Sequence, residues 1–226
     1  MTYAVIFDID GVLVDSYEPH FESWRVLGDE LKQPVTREAF AASFGRTSKD
    51  IIHLWWSAHF GDKLTDALVR ELDERKEAAY REVLRVSKPV MPGAVELIDA
   101  LHADGFKLAV GSSGPPENVA LSLELLAREA KFAARATGMD VTRGKPDPQV
   151  FLIAAKKLGV EPARCLVVED APAGVAAAKA AGMACVALLG TAPAEKLSAA
   201  DKVVAKLSEV NPGVMRALID AQAKQV

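Results

Sequence analysis

The 226-residue chain predicts an α/β fold, a parallel sheet covered by helices with an all-helical insertion near its start. Three observations carry this. The chain opens on a short apolar run, Tyr3-Ala4-Val5-Ile6-Phe7, that reads as a buried strand. From about residue 90 onward, short β-branched segments alternate with helical patterns, as βαβ crossovers require. Between residues 16 and 89 the pattern is helical throughout.

Taken in order, the opening strand gives way at Asp8 and Asp10-Gly11 to a helix from Tyr17 to about Leu31. Pro19 is tolerated in its first turn, and Phe21, Trp24, Leu27 and Leu31 recur at core spacing. Pro34 and Thr36 begin a short helix expected to run through Phe44. Gly45-Arg46-Thr47-Ser48-Lys49-Asp50 reads as a loop opening a helix from Ile51 to Phe60, and a long charged helix follows over roughly Thr65 to Arg85. Trp55-Trp56, with His53 and His59 nearby, read as core plus a partly exposed tryptophan. The character changes at Pro89-Val90-Met91-Pro92-Gly93. Helix (Ala94 to Ala103), strand (Phe106 to Gly111), helix (Pro116 to Arg128) and strand (Lys131 to Ala136) follow. Helix (Pro148 to Leu158), strand (Cys165 to Val168), helix (Ala173 to Ala181) and strand (Ala184 to Leu188) continue the series. Lys202-Val203-Val204 makes a last strand before a terminal helix. A lone opening strand cannot stand, so it joins this sheet. The expected organisation is a core of residues 1–15 and 90–226 interrupted by a helical domain of residues 16–89.

Half of the residues are hydrophobic, enough for one α/β domain plus an insertion. The net charge of −4 recommends neither nucleic acid nor an anionic membrane as a partner. No apolar stretch reaches transmembrane length, and Asp8 and Asp10 break the first apolar run, so no signal peptide is read there. Cys165 and Cys185, each in a strand-like segment, read as buried thiols of a cytoplasmic protein.

Ligands of open α/β sheets bind beyond the carboxyl ends of the strands, and four polar segments fall there. They are Asp8 with Asp10-Gly11, Gly111-Ser112-Ser113-Gly114, Gly144-Lys145-Pro146-Asp147-Pro148, and Glu169-Asp170. In the third, Pro148 reads as the first helical residue and Asp147 as its cap. Each has a plainer reading when taken singly. The first is a turn, the second a helix start, Lys145 a solvated charge, and Glu169-Asp170 acids complementing a helix dipole. Four such segments at one edge of one sheet point instead to phosphoryl transfer. Acids crowded there need a divalent cation, and oxygen-only ligands favour Mg²⁺, with Asp8, Asp10, Glu169 and Asp170 as candidates. Asp8 is placed to be a nucleophile. Asp10 can protonate the leaving alcohol and then deprotonate water. Ser112, Lys145 and backbone groups of Gly11 and Ser113 are candidate donors to the phosphoryl oxygens.

These residues resemble the haloacid dehalogenase superfamily of phosphohydrolases. The resemblance rests on Asp8-Ile9-Asp10-Gly11-Val12-Leu13-Val14-Asp15-Ser16, Ser112, Gly144-Lys145-Pro146-Asp147-Pro148 and Val168-Glu169-Asp170-Ala171-Pro172-Ala173-Gly174, and covers essentially the whole chain. It implies a Rossmann-like core, an aspartyl-phosphate on Asp8, and Mg²⁺ held by Asp8, the Asp10 carbonyl and Asp170. It further implies that residues 16–89 form a helical C1-type cap that closes over the site and selects substrates, with hinges near Asp15-Ser16 and Pro89 to Gly93.

Within the superfamily, the chain is similar to the β-phosphoglucomutase and phosphoglycolate phosphatase-like branch. His20, Trp24, Arg75-Lys76 and Tyr80 resemble the mutase, in which a His–Lys pair from the cap region meets the acid/base Asp. Taken alone, His20 reads as a surface or capping histidine and Lys76 as a solvated helix charge. Two departures favour hydrolysis. Ser48 stands where the mutase presents an Arg to a second phosphate, with Arg46 and Lys49 merely near, and Gly114-Pro115-Pro116 replaces Ser-Lys-Asn. The expected activity is a Mg²⁺-dependent phosphatase for a small phosphorylated metabolite of sugar phosphate or phosphoglycolate type, acting as a monomer or homodimer. A β-phosphoglucomutase-type phosphotransferase is the alternative, and a catalytically silent metabolite-binding module a remote one.

Overall fold

Ala4, Val5, Ile6 and Phe7 have no exposed surface. A run apolar on both faces suits a strand covered by helices on both sides, and it forms β1 (Ala4–Phe7). The computed structural model describes residues 2–43 and 46–224 and divides into two compact units, Met1–Asp15 with Val90–Val226, and Ser16–Pro89.

In the second unit come α1 (Tyr17–Glu30), α2 (Arg37–Ser43), α3 (Ser48–Phe60) and α4 (Asp66–Ser87). Their shared core is Phe21, Trp24, Leu27, Phe40, Ile51, Ile52, Trp56, Val69 and Leu72. Trp55 and Trp56 meet Trp24 edge-on at 5.3 and 5.8 Å, and Trp55 is the partly exposed member. Helix α3 begins three residues before the expected Ile51. Thr47 is extended and its Oγ1 accepts from the Asp50 N–H at 3.2 Å, so the cap draws Ser48, Lys49 and Asp50 into the helix. The predicted helix end at Phe44 and loop start at Gly45 lie outside the described residues.

The first unit resumes with α5 (Ala94–Ala103), β2 (Lys107–Gly111), α6 (Pro116–Leu125), β3 (Phe132–Ala136) and α7 (Gln149–Leu158). It ends with β4 (Cys165–Glu169), α8 (Pro172–Ala180), β5 (Ala184–Leu188), β6 (Lys202–Val204) and α9 (Pro212–Gln222). Among the described residues, the six strands are parallel in the order β3-β2-β1-β4-β5-β6. This is a Rossmann-like sheet in which the chain first builds outward from β1 through β2 and β3, then returns to β1's other side with β4. The crevice at that switch is where such sheets bind ligands. Helix α6 stops short of the expected Arg128 because Ala127 adopts a left-handed φ of 50°. Pro148 is not the first helical residue. It sits at the cap position of α7, and Asp147 Oδ1 accepts from the Gln149 N–H at 3.0 Å.

The two chain crossings lie side by side within this unit. Val14 bridges Val90, and the Met91 N–H donates to the Leu13 carbonyl at 3.0 Å. Cys165 and Cys185 are buried and free. Among the described residues, no helix is long and apolar enough to cross a membrane.

Candidate active site at the carboxyl edge of the sheet

The register brings the strand tips together. Phe7 lies opposite Val110 on β2 and Val168 on β4, so Asp8 emerges level with Gly111 and Glu169. The Asp8 N–H continues the ladder to the Val168 carbonyl at 3.0 Å. One carboxylate oxygen each from Asp8, Glu169 and Asp170 falls within 4.8 Å of the others, and all three residues are buried.

One lysine answers these three acids. Lys145 Nζ donates to Glu169 Oε1 at 2.7 Å and lies 3.1 Å from Asp8 Oδ1, with the Phe151 ring beneath it at 4.8 Å. Its side chain is nearly buried, so it is not the solvated charge that a lone loop lysine suggests. The approach to Asp8 is not aligned as a hydrogen bond, and Asp8 Oδ1 is buried without one. Glu169 is fully engaged: Oε2 accepts the Asp170 and Ala171 N–H groups, both at 2.7 Å. Gly174 makes room for it, since a Cβ there would overlap the Glu169 carboxylate.

Three carboxylates against one ammonium leave an uncompensated negative charge in a buried place. Burial pushes the Asp8 carboxyl up, Lys145 pulls it down, and Glu169 and Asp10 push it up again, to about 7. Asp170 is raised to about 8, first by burial and then by Glu169 and Asp8. Burial alone would lower Lys145, but Asp8 and Glu169 outweigh it and leave the ammonium above the usual lysine range.

The remaining predicted residues of this unit lie around that cluster in the chain. Asp10 and Gly11 sit in the turn after β1, where the Gly11 N–H donates to Val14 O at 2.8 Å. Gly11 has φ +71°, and a Cβ there would overlap the Asp170 carboxylate, so only glycine allows the turn to close on Asp170. Ser112, buried just past β2, accepts the Gly114 N–H at 3.1 Å on its Oγ, which leaves its O–H able to donate. Ser113 is exposed in the same turn.

In the helical unit, Lys76 is 2 % exposed, against the expectation of a solvated helix charge. Its aliphatic stem is buried in the packing of α4, and its Nζ reaches His20 Nδ1 at 3.0 Å and Glu77 Oε1 at 2.8 Å. His20 stacks on Tyr80 with centroids 4.1 Å apart and planes 8° from parallel. Ser48 opens α3 and donates to Glu77 Oε1 at 3.4 Å, while Arg46 and Lys49 are exposed.

The model of the haloacid dehalogenase-like hydrolase family matches residues 3–182. The chain belongs to that family. It is 35% identical over 213 residues to validoxylamine A 7'-phosphate phosphatase of Streptomyces hygroscopicus subsp. limoneus, covering 93% of this chain and 96% of the relative. It is 34% identical over 212 residues to β-phosphoglucomutase of Bacillus subtilis, covering 92% and 91%. The crystal structure of β-phosphoglucomutase from Clostridium difficile superposes with a TM-score of 0.81 at 25% identity, covering 100% of this chain and 98% of that one. As a haloacid dehalogenase-like hydrolase, the protein is an enzyme of the phosphoric monoester hydrolase class.

Members of this family use a divalent metal, and the donors here fit one. They are hard carboxylate oxygens, they converge, and one of them, Asp8 Oδ1, is buried without a hydrogen bond. Two side chains that contact the predicted residues went unread in the sequence. Thr191, exposed beyond β5, donates its hydroxyl to Asp170 Oδ2. A single Thr in a loop carries no signal of its own. Glu77 is the other, hidden within the charge run of α4.

Proposed function

We propose that the protein is a Mg²⁺-dependent phosphatase that hydrolyses a small phosphorylated sugar or sugar-like metabolite through an aspartyl-phosphate on Asp8. The observation that carries this reading is the buried Asp8–Glu169–Asp170 cluster, closed by Lys145 at the tip of β1. In the first step an Asp8 carboxylate oxygen bonds to phosphorus as the ester P–O bond breaks, and Asp10 delivers its proton to the departing alkoxide. In the second, Asp10 takes a proton from water as the water oxygen attacks phosphorus, releasing inorganic phosphate and restoring Asp8. Lys145 and Ser112, with backbone N–H groups near Gly11 and Ser113, stabilise the phosphoryl oxygens. Asp8, Asp170 and the Asp10 carbonyl would hold Mg²⁺, which would supply charge neutralisation for the two anions that must meet. Glu169 is assigned to orienting Lys145 and the Asp170 turn, because its oxygens already accept Lys145 and two N–H groups.

The sugar-phosphate class is supported by the relatives, whose names specify a validoxylamine 7'-phosphate phosphatase and a phosphoglucomutase. Substrate choice is assigned to the helical unit, with Ser48, Arg46, Lys49, His20 and Lys76 as candidates. Hydrolysis is favoured over mutase turnover by Ser48, which stands against the Glu77 and Asp73 carboxylates at the position where the mutase presents an Arg to a second phosphate.

Phosphate release from p-nitrophenyl phosphate and a panel of sugar phosphates tests the reading. Wild type with Mg²⁺ should turn over, and Asp8→Asn should fall to background while remaining folded. Full activity in that variant removes Asp8 as the nucleophile. A coupled assay for glucose 6-phosphate from β-glucose 1-phosphate, primed with the bisphosphate, should stay silent.

A further inference from the structure

We propose that Glu77 is a positioning residue for the His20–Lys76 pair, holding the Lys76 ammonium on His20 Nδ1 and so placing the neutral imidazole's proton on Nε2. The argument starts from donor chemistry. A lysine ammonium has three N–H donors and no acceptor. With Lys76 Nζ 3.0 Å from Nδ1, that nitrogen must accept, and in a neutral ring the proton then resides on Nε2.

What aims the ammonium is Glu77. Neighbouring residues of a helix point about a quarter-turn or more apart and do not ordinarily meet. Here, nonetheless, Lys76 Nζ turns back to Glu77 Oε1 at 2.8 Å, with side chains only 3% and 14% exposed. Trp24 and Tyr80 present their rings to the same ammonium at 5.5 and 5.3 Å. Ser48 supports Glu77 from α3 by donating to the same Oε1 at 3.4 Å. The ring of His20 is held against Tyr80 by the stack, so it cannot tilt away from Lys76 without losing that contact. The unit thus has an anion, a cation and an imidazole in series, each with a fixed partner.

The catalytic consequence rests on the phosphatase reading: His20 offers an N–H donor at Nε2 and not a base at that atom. The proton assignment does not depend on it. The test is long-range ¹⁵N NMR of the full chain labelled at histidine, at about pH 8, above the ordinary imidazole range. His20 signals are assigned from their loss in His20→Gln. The wild-type ring should give a non-protonated Nδ1 and a protonated Nε2. In Glu77→Gln the two nitrogen shifts should move toward each other as the tautomers mix, and Glu77→Asp should recover part of the separation. Lys76→Met, which keeps length and packing, should mix them as well and serves if Glu77→Gln does not fold. On a turned-over substrate, Glu77→Gln should lower kcat with KM little changed. An Nδ1–H tautomer in the wild type, or His20 shifts unmoved in Glu77→Gln and Lys76→Met, overturns the proposal whatever the activity proves to be.

Discussion

Asp170 and Glu169 are adjacent acids to which the proposed mechanism gives different tasks, because their neighbours differ. Glu169 accepts Lys145 on one oxygen and two backbone N–H groups on the other, so its carboxylate is fixed on both sides. Among the described residues, the Asp170 carboxylate is steadied by the Thr191 hydroxyl. A donor of this kind orients a metal-binding carboxylate without touching the metal, and losing one typically weakens metal affinity by about 10–100-fold. Thr191→Val preserves shape and removes the hydroxyl. The Mg²⁺ concentration for half-maximal phosphate release should rise by roughly that factor, while kcat at saturating Mg²⁺ stays near wild type. An unchanged Mg²⁺ titration would show that the Thr191 hydroxyl does not set the carboxylate.

At the scale of elements, the site depends on how tightly β1 and β2 can end beneath α7. Gly111 closes β2 where a Cβ would meet Phe151 Cδ1 at 2.8 Å and Ile6 Cγ2 at 3.1 Å. Phe151 is fully buried and cannot yield without disturbing the platform under Lys145. Gly111→Ala should therefore destabilise by about 1–3 kcal/mol, read as a lower midpoint in denaturant. The same change should weaken phosphate release by shifting Ser112. Much of this level was legible beforehand, because apolar strand runs ending in Asp8, Ser112 and Glu169-Asp170 reveal both the sheet and the edge at which its polar residues gather. What escaped was local or buried. The Thr47 cap outcompeted the loop reading of Ser48 to Asp50. A left-handed Ala127 ended α6 early, although nothing in alanine signals it. Lys76 and Glu77 look like any solvated pair on a charged helix, since a pattern of charges cannot disclose that Trp24 and Tyr80 cover Lys76 or that Glu77 is mostly buried beside it.

For the whole molecule, the buried acids tie stability to pH and to metal. In the unfolded chain Asp8 and Asp170 titrate near the ordinary value of about 3.9, whereas in the fold they are raised to about 7 and about 8. Between those limits the folded protein holds protons that the unfolded chain has released, so stability falls as pH rises through the window. Acids such as Asp99 and Asp140 are held low by the lysines and arginines bonded to them, and their contribution changes only below it. Metal-free protein should accordingly melt at progressively lower temperature from about pH 5 to about pH 8.5, with each kcal/mol lost lowering Tm by roughly 2–4 °C. A divalent cation bound between the same carboxylates favours their ionised form, so saturating Mg²⁺ should raise Tm most at the alkaline end and flatten the slope. Thermal denaturation after dialysis against chelator, with and without Mg²⁺ restored, measures both. Parallel curves, offset equally at every pH, would mean that the cation binds somewhere other than these acids. In Asp170→Asn, which removes one titrating member, the metal-free slope should shrink and the gain from Mg²⁺ should fall with it.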